Sequence, residues 1–111
     1  MLISFDSIQP TTSVTVTISP GLYQIAVKFA RVLDHDVVKD MQVLKSQPFV
    51  KFFFGYPNEH PKMFDVTVDS NYPLETVAEA IAQMLEGHGL KVKRQANLDG
   101  REEVDATFIT Q

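Results

Sequence analysis

The chain has 111 residues, 44% of them hydrophobic and 22% charged, with no cysteine and a formal net charge of −4. That length suits a single domain over residues 1–111, large enough to bury a core. The missing cysteines exclude a disulfide scaffold and a thiolate metal site, and the acidic balance argues against a protein that wraps duplex nucleic acid.

In chain order, residues 2–5 read as a short strand and residues 9–13 as a turn. Residues 13–18 alternate, with Val14, Val16 and Ile18 on one face and Thr15 and Thr17 on the other. Their β-branched side chains favour a strand. Ser19-Pro20-Gly21 predicts a helix start, with Ser19 as the cap and Pro20 in the first turn. Leu22, Ile25, Ala26, Phe29, Val32 and Leu33 recur at helical spacing, and the row continues through Val37, Met41 and Leu44. One helix over 19–45 would outreach any strand here by about twofold at ~1.5 Å per residue. A break is therefore expected at Asp34-His35-Asp36, with Asp34 or Asp36 capping a second helical piece.

The stretch 49–68, FVKFFFGYPNEHPKMFDVTV, reads as a hairpin with a long proline-bearing loop. Strict alternation puts Val50, Phe52, Phe54 and Tyr56 on one face and Phe49, Lys51 and Phe53 on the other. In the second arm Phe64, Val66 and Val68 share a face opposite Met63, Asp65, Thr67 and Asp69. The apolar rows are expected inward, which leaves Phe49, Lys51 and Phe53 outward. Residues 74–85 carry the tidiest amphipathic stripe: Leu74, Val77, Ala78, Ile81, Met84 and Leu85. Gly87 or Gly89 is the expected left-handed stop. Residues 90–95 alternate again, with Leu90 and Val92 inward and Lys91 and Lys93 outward. A turn at 97–100 leads to a last strand over 104–109, antiparallel to the one before.

The order is β-β-α-β-β-α-β-β. Its middle matches the split βαβ, ferredoxin-like arrangement. The expected fold is thus α+β: an antiparallel sheet, two helical segments on one face, and an extra strand at each end. Strand 13–18 is expected between 90–95 and 64–68, with 49–54 outermost.

The RNA-recognition fold resembles this order, and it stacks bases on aromatics of its two central strands. Here the central strand offers Thr15 and Thr17, and 49–54 lacks that motif's glycines and lies in an outer strand. RNA binding is not the expectation. Asp34-His35-Asp36 does not present neighbouring ligands on one helix face, and no second ligand cluster is in view. His60 and His88 read as surface histidines with no nucleophile tied to them. Asp99-Gly100-Arg101-Glu102-Glu103 lacks the alternating acids of a calcium loop. No cofactor is implied.

The expected function is a small non-enzymatic protein-binding protein: an adaptor, inhibitor or assembly subunit. Its contact residues are Phe49, Lys51, Phe53 and Asp65 on the sheet, with Tyr56, Asn58, Glu59 and His60 in the 55–61 loop. The partner is another protein, and a homodimer is a second expectation. In a sharper version, Asp65, Asp69, Glu102, Glu103 and Asp105 occupy a basic groove on a nucleic-acid-handling partner. The alternative function is single-stranded nucleic-acid binding through Phe49, Lys51 and Phe53. No stretch reads as a signal peptide or a membrane span, so the expected location is cytoplasmic.

Overall fold

The computed structural model describes residues 13–30, 35–55, 63–97 and 103–105. The fold is α+β, a mixed open sheet with two helices. The strands are β1 (Ser13–Ser19), β2 (Gln24–Phe29), β3 (Val50–Gly55), β4 (Met63–Val68), β5 (Lys91–Asn97) and β6 (Glu103–Asp105), in the order β3-β4-β2-β1-β5-β6. The helices are α1 (His35–Val43) and α2 (Leu74–Gly87). The strand expected at 2–5 lies outside the described residues.

β2 is the largest departure from expectation. Residues 19–29 form a hairpin with β1, not the first half of a helix. Ser19 stands opposite Gln24, and Val14 opposite Phe29. Between them Pro20–Leu22 make one 3-10 turn, closed by the Tyr23 N–H donating to the Pro20 carbonyl at 3.1 Å. Tyr23 then takes a left-handed conformation, φ 53°, which costs a non-glycine residue about 1–2 kcal/mol. Two hydrogen bonds hold it there. Its carbonyl accepts from Val68 N–H at 3.0 Å, and its hydroxyl donates to the Tyr72 carbonyl. Ile25, Val27 and Phe29 are all fully buried, so the two-residue period is the one that the core selects.

The inserted hairpin changes the sheet. β2 sits between β1 and β4, where β1 was expected to touch β4 directly. β1 runs parallel to β5, while β1–β2, β2–β4, β3–β4 and β5–β6 are antiparallel. The all-antiparallel expectation is thereby corrected to a mixed sheet. β3 is outermost, as expected, and β6 pairs antiparallel with β5 at the other edge.

No α-helix precedes α1 among the described residues, so the expected two helical pieces reduce to one: it starts at His35 and passes into a 3-10 turn at Leu44–Ser46. Val37, Met41 and Leu44 are its buried row. α2 buries Leu74, Val77, Ala78, Ile81, Ala82 and Leu85, the expected stripe with Ala82 added and Met84 only partly buried. It ends at Gly89, φ 86°, where Gly89 N–H donates to Glu86 at 2.9 Å and Leu90 N–H to Leu85 at 3.3 Å. This Schellman closure needs a left-handed residue, and glycine adopts it without a Cβ clash. Both helical rows join one core with Val14, Val16 and Ile18 of β1, Ile25, Val27 and Phe29 of β2, and Phe64, Val66 and Val68 of β4. Among the described residues, no helix is long and apolar enough to cross a membrane.

Candidate functional site

Both helices pack on one side of the sheet, and no described helix covers the other side, the open face. Strand partners directly opposite share a face, and the register therefore assigns it. Phe52, Thr67, Gln24 and Ser19 form one row across β3, β4, β2 and β1. Phe54, Asp65, Ala26, Thr17 and Gln95 form the next. Met63, Lys28, Thr15 and Lys93 form a third.

The placement of Phe52 and Phe54 reverses the sequence expectation. Both were expected in the core, yet they are 65% and 58% exposed. The cause is an irregularity in the β3–β4 register. Val50 faces Val68, but Phe52 faces Thr67 instead of Val66. Lys51 is the extra residue, and one inserted residue transfers everything beyond it to the opposite face. Phe53 consequently turns inward opposite Val66 and lies 5.6 Å, ring to ring, from Phe64. Phe64 meets Phe29 edge-on at 6.0 Å, so three aromatic rings run in line into the core. Gly55 belongs to the same arrangement: a Cβ there would sit 3.2 Å from the Phe64 ring.

The expected contact residues thus divide. Phe49 and Phe53, expected outward, are partly buried and packed against the core, with Phe49 edge-on to Tyr72 at 6.2 Å. Lys51 is exposed at the bulge, and Asp65 is half-buried on the open face across from Phe54. Tyr56, Asn58, Glu59 and His60 lie outside the described residues. What the structure brings together on the open face is Phe52, Phe54 and Asp65, with Lys51 at the strand edge.

The middle of the open face is polar. Thr17 and Gln95 are mostly buried and linked, Thr17 Oγ1 donating to Gln95 Oε1 at 3.4 Å. Gln24 Nε2 donates to Thr67 Oγ1 at 3.4 Å. Lys28, Lys91 and Lys93 are exposed toward its β5 side. The open face thus carries exposed rings at its β3 side and lysines on β2 and β5, with β4 between Phe52 and Phe54 and the nearest of them.

Two further clusters lie on the helix side. Arg94, on β5, forks into two carboxylates of α2. Its Nε and Nη2 donate to Glu79 at 2.8 and 2.9 Å, and its Nη1 and Nη2 donate to Glu86, both at 3.0 Å. These bonds hold the Glu79 and Glu86 carboxyls below the usual range and push the guanidinium still higher. Glu79 and Glu86 are seven residues apart and share a helix face. That was the one signal in the sequence, and it did not identify Arg94 as the partner. The second cluster joins the ends of the two helices, His88 Nε2 lying 2.6 Å from Asp40 Oδ2. A histidine–carboxylate pair can support acid–base chemistry when a nucleophile reaches the ring. Among the described residues, no hydroxyl is hydrogen-bonded to His88, so the pair reads as a helix-to-helix tie. Among the described residues, no group of three His, Cys, Asp or Glu side chains could hold a metal ion.

Compared with protein-family models, curated proteins and solved structures, the chain matches none.

Proposed function

We propose that this chain is a small non-enzymatic protein-binding module, an adaptor, inhibitor or assembly subunit, that engages its partner through the open sheet face and the β3 edge. The observation that carries the reading is the outward turn of Phe52 and Phe54 on an outermost strand. Large rings left in water on one patch are a common mark of a contact surface. Aromatic residues also supply much of the energy of protein interfaces. The 55–61 loop, next to β3 in the sequence, is a proposed contact segment. We take the architecture as a derivative of the split βαβ order, β2-α1-β3 followed by β4-α2-β5, with β1 inserted. The proposed location is cytoplasmic.

A second reading, single-stranded nucleic-acid binding, is favoured by Lys28, Lys91 and Lys93 on the same face as the rings. Bases would stack on the aromatics and phosphates would meet the lysines.

The test uses the full chain and a Phe52→Ser/Phe54→Ser variant, both as bait in extracts of the native host. The reading predicts a partner bound by the wild type and lost by the variant, with unchanged thermal unfolding. A partner retained at full strength by the variant contradicts it. Titration with short single-stranded oligonucleotides at low and high salt separates the second reading. Salt-sensitive binding that the variant loses favours it over the first.

A further inference from the structure

We propose that the outer edge of β3, unpaired among the described strands, pairs with β3 of a second copy, antiparallel, about a two-fold axis at Phe53, so that the sheet continues from one chain into the next. This rests on the protein-binding reading above and names a second copy as the occupant.

The first observation is where apolar surface remains exposed. Among the described residues the exposed large hydrophobics are Leu22, Val43, Phe52, Phe54 and Tyr72. Two of these five lie in β3, the outermost of the described strands on its side. Phe52 and Phe54 are in β3 itself, and Tyr72 lies against Phe49 at its entry. Val43 ends the helix whose 3-10 extension packs on β3. Among the described strands, none pairs with the far side of β3.

The second observation is self-complementarity. A two-fold axis perpendicular to the sheet keeps the open face of both copies on the same side. Residues opposite one another across an antiparallel pair must share a face. Phe52 and Phe54 face out and Phe53 faces in, so an axis at Phe53 sets Phe52 across from Phe54 of the second copy, twice. Four rings then form one cluster on the joined open face. Lys51 falls opposite Gly55 of the second copy, where no side chain competes for space. The two Lys51 residues lie four positions out of register, about 14 Å along the strands. That is beyond the ~8–10 Å over which salt leaves exposed charges coupled.

The third observation is extent. Taking about 200 Å² for a fully exposed phenylalanine, exposures of 65% and 58% leave about 250 Å² per chain in these rings. Two copies would bury at most about 500 Å² of ring surface, since the cluster stays on an open face, and this is below the ~1,200 Å² typical of a stable complex. The Lys51 bulge also confines regular pairing to residues 52–54. The pairing is therefore weak and concentration-dependent, and its two-fold symmetry closes it at two copies.

Sedimentation equilibrium over a concentration series tests the association. The apparent mass of the wild type should rise from 12.5 kDa toward twice that value. The Phe52→Ser/Phe54→Ser variant should stay at the lower mass with an unchanged unfolding curve. Register is tested by cross-linking, which the lack of native cysteine makes clean. Phe52→Cys and Phe54→Cys chains, differently tagged and mixed under mild oxidant, should join 52 to 54. Same-site disulfides should be at least about fivefold slower, because identical positions lie about 8 Å apart, beyond disulfide reach. A wild type that stays monomeric throughout, or same-site cross-links that dominate, overturns the proposal. The protein-binding reading fails by a different result, a host partner that the double serine variant still binds.

Discussion

Replacing Phe53 should damage the protein far more than replacing Phe52, although the two are adjacent in an outer strand. Threonine at either position keeps the strand-forming preference, so the contrast isolates burial. Phe53 is packed against the core beside Phe64, with roughly 100–150 Å² of its surface out of water. At about 25 cal/mol per Å², Phe53→Thr should cost about 3 kcal/mol. Phe52, 65% exposed, should change stability by no more than about 0.5 kcal/mol on Phe52→Thr. For a domain of this size the first value corresponds to a fall of about 12 °C in Tm, the second to about 2 °C. Thermal unfolding followed by circular dichroism, repeated in urea, reads both. If Phe52→Thr proves the more damaging, the bulge at Lys51 is absent and β3 presents its other face to the helices.

The Arg94 fork should appear in the acid limb of stability. Glu79 and Glu86 have lowered pKa values in the folded chain against an ordinary 4.5. Their contribution is complete above that value and is lost as pH falls through the folded ones, because the unfolded chain takes up protons first. Arg94→Met should flatten this part of the pH profile, and an acid limb identical to wild type would refute the coupling. Gly89→Ala, forced to keep φ near 86°, should cost about 1 kcal/mol in urea unfolding. Gly55→Ala should also destabilise, by about 1 kcal/mol, since the new methyl group presses on the Phe64 ring. A neutral Gly55→Ala would mean that the ring has room to move.

Legibility in the sequence followed the number of periods that each segment could satisfy. α2 and β4 each satisfy one period, and their buried rows are the residues that the pattern predicts except that Ala82 takes the place of Met84 in α2. Residues 22–29 satisfy two. Leu22, Ile25, Ala26 and Phe29 fit a helix, while Ile25, Val27 and Phe29 fit a strand. Ile25 and Phe29 belong to both rows, so the choice rests on Ala26 against Val27. Pro20-Gly21 does not decide it, since the pair opens helices and hairpin turns alike. The left-handed Tyr23 is fixed by hydrogen bonds to residues 68 and 72, far along the chain. The same ambiguity governs the candidate site. Phe52, Phe53 and Phe54 put rings on both faces of β3, so either register buries phenylalanine. Alternation alone cannot reveal a bulge, and one extra residue exchanged the inward and outward sets. The Phe64 ring beside Phe53 and above Gly55 shows how the core made that selection.

The facing of three consecutive phenylalanines underlies the proposed contact surface, and thiol labelling reads it directly. Single cysteines at positions 52, 53 and 54, in a chain that otherwise has none, report access one residue at a time. Under native conditions the thiols at 52 and 54 should react within a few-fold of an unfolded control, and the thiol at 53 at least about tenfold more slowly. Fast labelling at 53 with protection at 52 and 54 would place the aromatic pair in the core and remove the surface on which the function was built.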